Sequence, residues 1–126
     1  MKPRSILIVD DDAELCEVMK QVLEDHGDRV TCAADGVQAS KAIAEAGFDL
    51  VITDLIMPEK DGIQLMNEIR RKYPKIPVVA MSGGGHVPRE QYLRIARGLG
   101  AHAVLEKPFA NQTLIDAVEQ TLPREA

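Results

Sequence analysis

The sequence has few of the features that mark secreted, membrane or nucleic-acid-binding proteins. It has only two cysteines, Cys16 and Cys32, which lack metal-ligand spacing, and it has no signal peptide, so we expect reduced thiols and a cytoplasmic location. Apolar runs such as residues 6–9 are far too short to cross a membrane. The net charge of −5 argues against nucleic acid as a direct partner, because phosphate contacts need a basic face.

The chain also lacks internal repeats, low-complexity segments and any linker rich in proline, glycine or serine. Its 126 residues predict one domain over residues 1–126, without an effector domain after the last helix. A domain of this length buries roughly two-thirds of its unfolded surface and therefore supports a hydrophobic core without disulfides.

Short apolar or β-branched runs alternate with segments of helical spacing. The predicted strands are residues 6–9, 29–34, 49–53, 77–82 and 101–106. The predicted helices are residues 13–25, 37–46, 61–73 with Asp61 as the cap, 89–99 and 111–122. This βα order, repeated five times, predicts a doubly wound α/β fold: a five-stranded parallel sheet covered by helices on both faces.

Helical periodicity also predicts which side chains face the core. On the first helix these are Leu15, Val18, Met19, Val22 and Leu23, and on the fourth they are Tyr92, Leu93, Ile95 and Ala96. Cys16 and Cys32 are predicted to be small core residues.

Polar residues stand where the predicted strands end. The first strand is followed by Asp10, Asp11 and Asp12, and the third by Asp54. The fourth ends in Ser82, and the fifth is followed by Lys107. Because ligands of open parallel sheets bind outside the carboxyl ends of the strands, these residues are predicted to share one rim.

That set of side chains favours phosphoryl chemistry. Carboxylates that share a rim repel each other, and Mg²⁺ suits a site with few carboxylates, some waters and a phosphate oxygen. A lysine ammonium and a serine hydroxyl can each bind a further oxygen of the phosphoryl group. We therefore predict transfer of a phosphoryl group onto Asp54, one of the known covalent reactions of carboxylates.

Four motifs, "ILIVDDD", "VITDLIMPEKDG", "AMSGG" and "LEKPF", resemble those of bacterial two-component response-regulator receiver domains of the CheY-like type. The resemblance covers nearly the whole chain. It implies a flavodoxin-like sheet with strand order 2-1-3-4-5. It also implies that Asp54 accepts phosphate from a sensor histidine kinase or a phosphotransfer protein.

The resemblance further implies a role for each residue of the site. Asp11, Asp54 and the backbone carbonyl of Ile56 would bind Mg²⁺ (or Mn²⁺) directly, and Asp10 would bind it through a water. Ser82 and Lys107 would contact the phosphoryl group, and the bond between Lys107 and Pro108 would be cis. Asp12 has no fixed role in the family and is predicted to cap the first helix.

The sequence departs from the family pattern at the predicted switch, which comprises Ser82 and Val104. Many relatives have tyrosine or phenylalanine at the position of Val104, and the loop after Ser82 is richer in glycine than usual. Neither Ile56 nor Gly84 can orient a water molecule, so self-dephosphorylation is expected to be slow. Autophosphorylation and this slow loss of the phosphoryl group are the only reactions that the chain is expected to catalyse.

The resemblance implies that a downstream protein binds the surface formed by the 89–99 helix, the 101–106 strand and the 111–122 helix. The chain would either act alone through protein contacts or be a receiver cut from a longer protein.

A rival interpretation is a phosphatase of the haloacid-dehalogenase type, with Asp10 as nucleophile and Asp12 as general acid. Against it, the fourth strand ends in "MSGGG" and not in an acidic pair. Considered one at a time, these residues have simpler interpretations. Asp10, Asp11 and Asp12 would more often cap a helix than bind a metal. Ser82 would usually be a hydroxyl in a turn, and Lys107 would usually be a solvated surface charge.

Overall fold

The structure, a computed structural model, describes residues 3–55, 62–83 and 88–123. Its strands are β1 (Ser5–Val9), β2 (Arg29–Ala33), β3 (Leu50–Asp54), β4 (Val78–Ser82) and β5 (Ala103–Glu106). Its helices are α1 (Ala13–Asp25), α2 (Gly36–Glu45), α3 (Gly62–Lys72), α4 (Arg89–Gly98) and α5 (Asn111–Thr121). The predicted order of elements is confirmed. None of the helices in the described ranges is long and apolar enough to cross a bilayer.

The five strands form one parallel sheet in the order β2-β1-β3-β4-β5. This is the predicted doubly wound arrangement, with strand order reversing between β1 and β3. In their register Val9 lies opposite Thr53, so the residues that follow these two strands emerge side by side.

Alternating side chains divide the core into two layers. From β1, Leu7 and Val9 enter the layer beneath α2, α3 and α4, while Ile6 and Ile8 enter the layer beneath α1 and α5. All of β3 is buried. Because both faces of the sheet are covered by helices, only the ends of the strands remain for ligands.

The prediction of a core position is wrong for three residues. Val18 is 55% exposed, because Cys16, Met19 and Leu23 form the buried stripe of α1 and Val18 lies about 200° around the helix from Cys16. Ile95 is 37% exposed, since Tyr92 and Ala96 carry the contacts of α4 with the core. Cys32 is exposed because it lies on β2, an edge strand, whereas Cys16 is buried as predicted.

Candidate phosphoryl-acceptor site

The carboxyl ends of β1, β3 and β5 meet at one cavity. Asp10 follows β1, Asp54 ends β3, and Lys107 follows β5. The cavity is open to solvent and is lined by Asp10, Asp11, Asp12, Leu15, Asp54, Gly83, Lys107, Pro108 and Phe109. The sheet therefore brings together Asp10 and Asp54, which are 44 positions apart in the chain, as the topology predicts.

Lys107 bridges the two buried carboxylates of this site. Its Nζ lies 2.5 Å from Asp10 Oδ2 and 3.0 Å from Asp54 Oδ2. Asp10 is only 1% exposed and Asp54 is 9% exposed. Burial alone lowers the pKa of Lys107, but hydrogen bonds to Asp10 and Asp54 and their negative charges raise it above its usual value. The ammonium is therefore charged at neutral pH and holds both carboxylates.

The three consecutive aspartates differ in environment. Asp10 is buried, and its Oδ1 accepts the backbone N–H of Asp12 at 2.9 Å. Asp11 is exposed on the cavity wall. Asp12 caps α1, with its Oδ1 accepting the N–H of Leu15 at 3.1 Å, as predicted. The start of α1 thus fixes Asp10 in the site and leaves Asp11 facing solvent.

The end of β4 lies beside the lysine. The backbone N–H of Lys107 donates to the carbonyl of Ser82 at 2.9 Å. A β-carbon built on Gly83 would lie 3.7 Å from Lys107 Cδ and 4.0 Å from Asp54 Oδ2. Ser82 itself is half-buried and is not among the described residues that line the cavity. The chain therefore lines the cavity at Gly83, directly after Ser82.

Two further predicted site positions lie on or next to β5. The Lys107–Pro108 peptide bond is cis. Val104 is half-buried and packs on the core layer beneath α2, α3 and α4. Ile56, Gly84 and the cap Asp61 lie outside the described residues.

Sequence reasoning missed Gly62, which begins α3. Its N–H donates to the carbonyl of Leu55 at 3.0 Å, and a β-carbon there would lie 2.0 Å from the backbone oxygen of Asp54. Any larger residue would push against the strand that presents Asp54. The glycine directly after the predicted cap Asp61 is the signal in the sequence for this close approach.

The donors present are compatible with a hard divalent cation. Carboxylate oxygens of Asp10, Asp11 and Asp54 face an open cavity with room for water, which is the environment that Mg²⁺ prefers. Within the described residues, however, no three acidic, histidine or cysteine side chains converge closely enough to form a ready metal cage. The Lys107 ammonium lies between Asp10 and Asp54 instead.

Comparison with known proteins assigns the family. The model of the response regulator receiver domain matches residues 6–119. The chain belongs to this family. The match includes the strands that carry Asp10, Asp54 and Lys107.

Receiver domains of known proteins resemble this chain in sequence and in structure. The chain is 33% identical over 125 residues to the transcriptional regulatory protein GlrR of Escherichia coli, covering 99% of this chain and 28% of that protein. It is 34% identical over 119 residues to CpxR of Klebsiella pneumoniae, covering 94% and 49%. The chain thus spans about a quarter to a half of the length of these regulators.

Solved structures show the same fold. Chemotaxis response regulator CheY4 of Vibrio cholerae superposes with a TM-score of 0.86 at 28% identity, covering 96% of this chain and all of CheY4. A response regulator from Chloroflexus aurantiacus, described as putative, gives a TM-score of 0.88 at 31% identity, covering 98% of this chain and 100% of the other. The chain is therefore a receiver domain of the two-component type.

Proposed function

We propose that this receiver domain accepts a phosphoryl group on Asp54 from the phosphohistidine of a sensor histidine kinase or a phosphotransfer protein. One observation carries the proposal: the ammonium of Lys107 bridges Asp10 and Asp54 at an open cavity on the carboxyl edge of the sheet. This arrangement provides a carboxylate nucleophile and, beside it, a cation that can bind the incoming phosphoryl oxygens.

The transfer requires one bond to form and one to break. An oxygen of the Asp54 carboxylate bonds to phosphorus while the phosphorus–nitrogen bond of phosphohistidine breaks, and its electron pair goes to the imidazole nitrogen. Lys107 holds the carboxylate in place before the reaction and offers N–H donors to the phosphoryl group afterwards. Asp10, almost fully buried, keeps the ammonium at the site.

Mg²⁺ (or Mn²⁺) is proposed as the cofactor. Asp11 and Asp54 would bind it directly, together with the backbone carbonyl of Ile56, and Asp10 would act through a water. When bound, the cation would offset the negative charge of the carboxylates and of the phosphoryl oxygens. The support for this proposal is the donor set and the open cavity described above.

The signal is proposed to reach a downstream protein through α4, β5 and α5. The exposed side chains of α4 include Arg94, Ile95 and Arg97, a mixture of charge and apolar surface that suits a protein contact. GlrR and CpxR are named as transcriptional regulatory proteins, so regulation of transcription is one output open to a longer protein that carries this domain.

The proposed reaction can be tested with a small phosphodonor. The protein is incubated with acetyl phosphate and Mg²⁺, the acyl phosphate is trapped by borohydride reduction, and the modified residue is identified by peptide mass spectrometry. We expect modification of Asp54, and no modification in Asp54→Asn. The variant Asp12→Asn, which changes an exposed helix cap beside the site, serves as the matched control and should still be modified.

Modification of Asp10 would overturn the proposal in favour of the dehalogenase-type phosphatase. The same assay gives the lifetime of the acyl phosphate once the donor is removed. We expect loss over minutes or longer, and loss within seconds would contradict slow self-dephosphorylation.

A further inference from the structure

Tyr92 links α4 to the strands that form the site. The side chain is 6% exposed, and its hydroxyl donates a hydrogen bond to the backbone carbonyl of Met81 on β4. Met81 precedes Ser82 and is the register partner of Asp54 in the pairing of β3 with β4. The Tyr92 hydroxyl therefore binds the peptide group that joins Met81 to the predicted phosphoryl-binding serine, on the strand next to the predicted phosphoacceptor.

The surroundings of the hydroxyl include the charge of Asp54. Burial and that negative charge raise the pKa of Tyr92, while a hydrogen bond with the backbone of Leu55 opposes the shift. Leu55 follows Asp54 directly in the sequence. The phenol thus binds the backbone at the end of β4 and lies near Asp54, which ends β3.

Tyr92 is also the main attachment of α4 to the core. Among the described side chains of this helix only Tyr92 and Ala96 are buried, and alanine offers little contact area. The residue before the helix, Pro88, provides no side-chain cap. The hydrogen bond with Tyr92 therefore gives a displacement of the Met81–Ser82 peptide a direct route to α4.

We propose that Tyr92 is a positioning residue that transmits the state of Asp54 to α4 through its hydroxyl group. This inference rests on the proposed function, because the change it transmits is the arrival of a phosphoryl group. That group adds negative charge and acceptor oxygens beside Asp54 and draws Ser82 toward it. The Met81 carbonyl moves with Ser82, and the phenol carries the movement to α4.

The aromatic composition of the chain allows a direct test. The chain has no tryptophan and only two tyrosines, so tyrosine emission is not masked. The variant Tyr73→Phe leaves Tyr92 as the sole emitter, and the matched variant Tyr92→Phe leaves only Tyr73, which follows α3. With Mg²⁺ and beryllofluoride, a phosphoryl mimic, we expect the emission intensity to shift in Tyr73→Phe. No shift in that variant would overturn the proposal.

Hydrogen exchange separates transmission from a merely structural role. In the parent protein we expect Mg²⁺ and beryllofluoride to change exchange both next to Asp54 and along α4. In Tyr92→Phe, which keeps the ring and removes only the hydroxyl, we expect the change next to Asp54 to remain and the change along α4 to be lost. An equal change along α4 in both proteins would overturn the proposal.

Different results would overturn the proposed function and the role of Tyr92. If beryllofluoride causes no change next to Asp54 in the parent protein, the proposed function itself is wrong, and the role of Tyr92 is wrong with it. If the change next to Asp54 is present and α4 responds without the hydroxyl, only the role of Tyr92 is overturned. Should Tyr92→Phe not fold, unchanged emission of Tyr73→Phe would still overturn the role of Tyr92.

Discussion

β1 has a cluster of charged side chains at each end, and the two clusters are built differently. Before β1, the Arg4 guanidinium binds Asp28 at 2.8 and 3.2 Å and Glu119 at 2.7 Å. It also donates to the carbonyl of Leu122 at 2.6 Å, and His26 lies 3.0 Å from Glu119. After β1, the ammonium of Lys107 bridges Asp10 and Asp54.

The difference lies in geometry and in access to solvent. Arginine presents a rigid fork of donors, and at the amino edge this fork joins α5 to the start of β1 and the loop before β2. Lysine is a point charge on a flexible stem, and at the carboxyl edge it faces an open cavity. The amino edge is thus arranged for stability, whereas the carboxyl edge can exchange its partners when a cation or a phosphoryl group arrives.

Removal of the amino-edge cation is expected to have the largest effect. In Arg4→Met the fully buried carboxylate of Asp28 loses its ion pair with Arg4, and we expect a loss of about 3–5 kcal/mol in the free energy of unfolding. Urea unfolding measures the loss. The control Arg29→Met, at an exposed position one strand away, should change stability by less than about 0.5 kcal/mol. A similar small effect for both variants would show that the Arg4 cluster does not stabilise the fold.

Removal of the carboxyl-edge cation should cost less. In Lys107→Met, water entering the open cavity can partly solvate Asp10 and Asp54, so we expect a loss of about 1–3 kcal/mol. Added Mg²⁺ should then restore more stability in this variant than it adds to the parent protein, because the ammonium no longer competes for the carboxylates. A loss as large as that of Arg4→Met, unaffected by Mg²⁺, would erase the distinction between the two edges.

The sequence predicted one of these clusters and not the other. Asp10, Asp54 and Lys107 each follow a recognisable strand, so the βα alternation alone places them on one rim. Arg4, Asp28 and Glu119 lie outside any motif, and each looks like an ordinary surface charge. Their pairing across 24 and 115 positions depends on where α5 ends against β1, which local periodicity does not specify.

Local periodicity also fails to specify how each helix packs on the sheet, and this explains the smaller errors of prediction. Periodicity placed Val18 on the inner face of α1 because its apolar neighbours follow helical spacing, but the angle at which α1 meets the sheet selects Cys16, Met19 and Leu23. The hydrogen bond of Tyr92 likewise depends on how α4 lies across β4. Hydropathy predicts that a side chain is buried, and only tertiary packing decides which group its hydroxyl meets.

The smallest expected effect concerns acid pH. Hydrogen bonding from Arg4 lowers the pKa of Glu119 most, burial opposes the shift, and His26 adds to it. Since the folded pKa lies below the usual 4.5, the charged form of Glu119 contributes stability above that pH. This contribution is lost as the pH falls through the folded pKa. We expect the stability of Glu119→Gln to fall less steeply than that of the parent below about pH 4.5, measured by urea unfolding at several pH values. Parallel pH profiles would contradict the pairing.

The thermal shift caused by Mg²⁺ tests most directly whether the carboxyl edge is the ligand-binding edge. At a concentration ten times the dissociation constant, binding to the folded state alone adds about 1.4 kcal/mol of stability. We predict that Mg²⁺ raises the melting temperature of the parent and of Glu119→Gln equally and raises that of Asp54→Asn much less. An equal shift in Asp54→Asn, or no shift in the parent, would contradict the account.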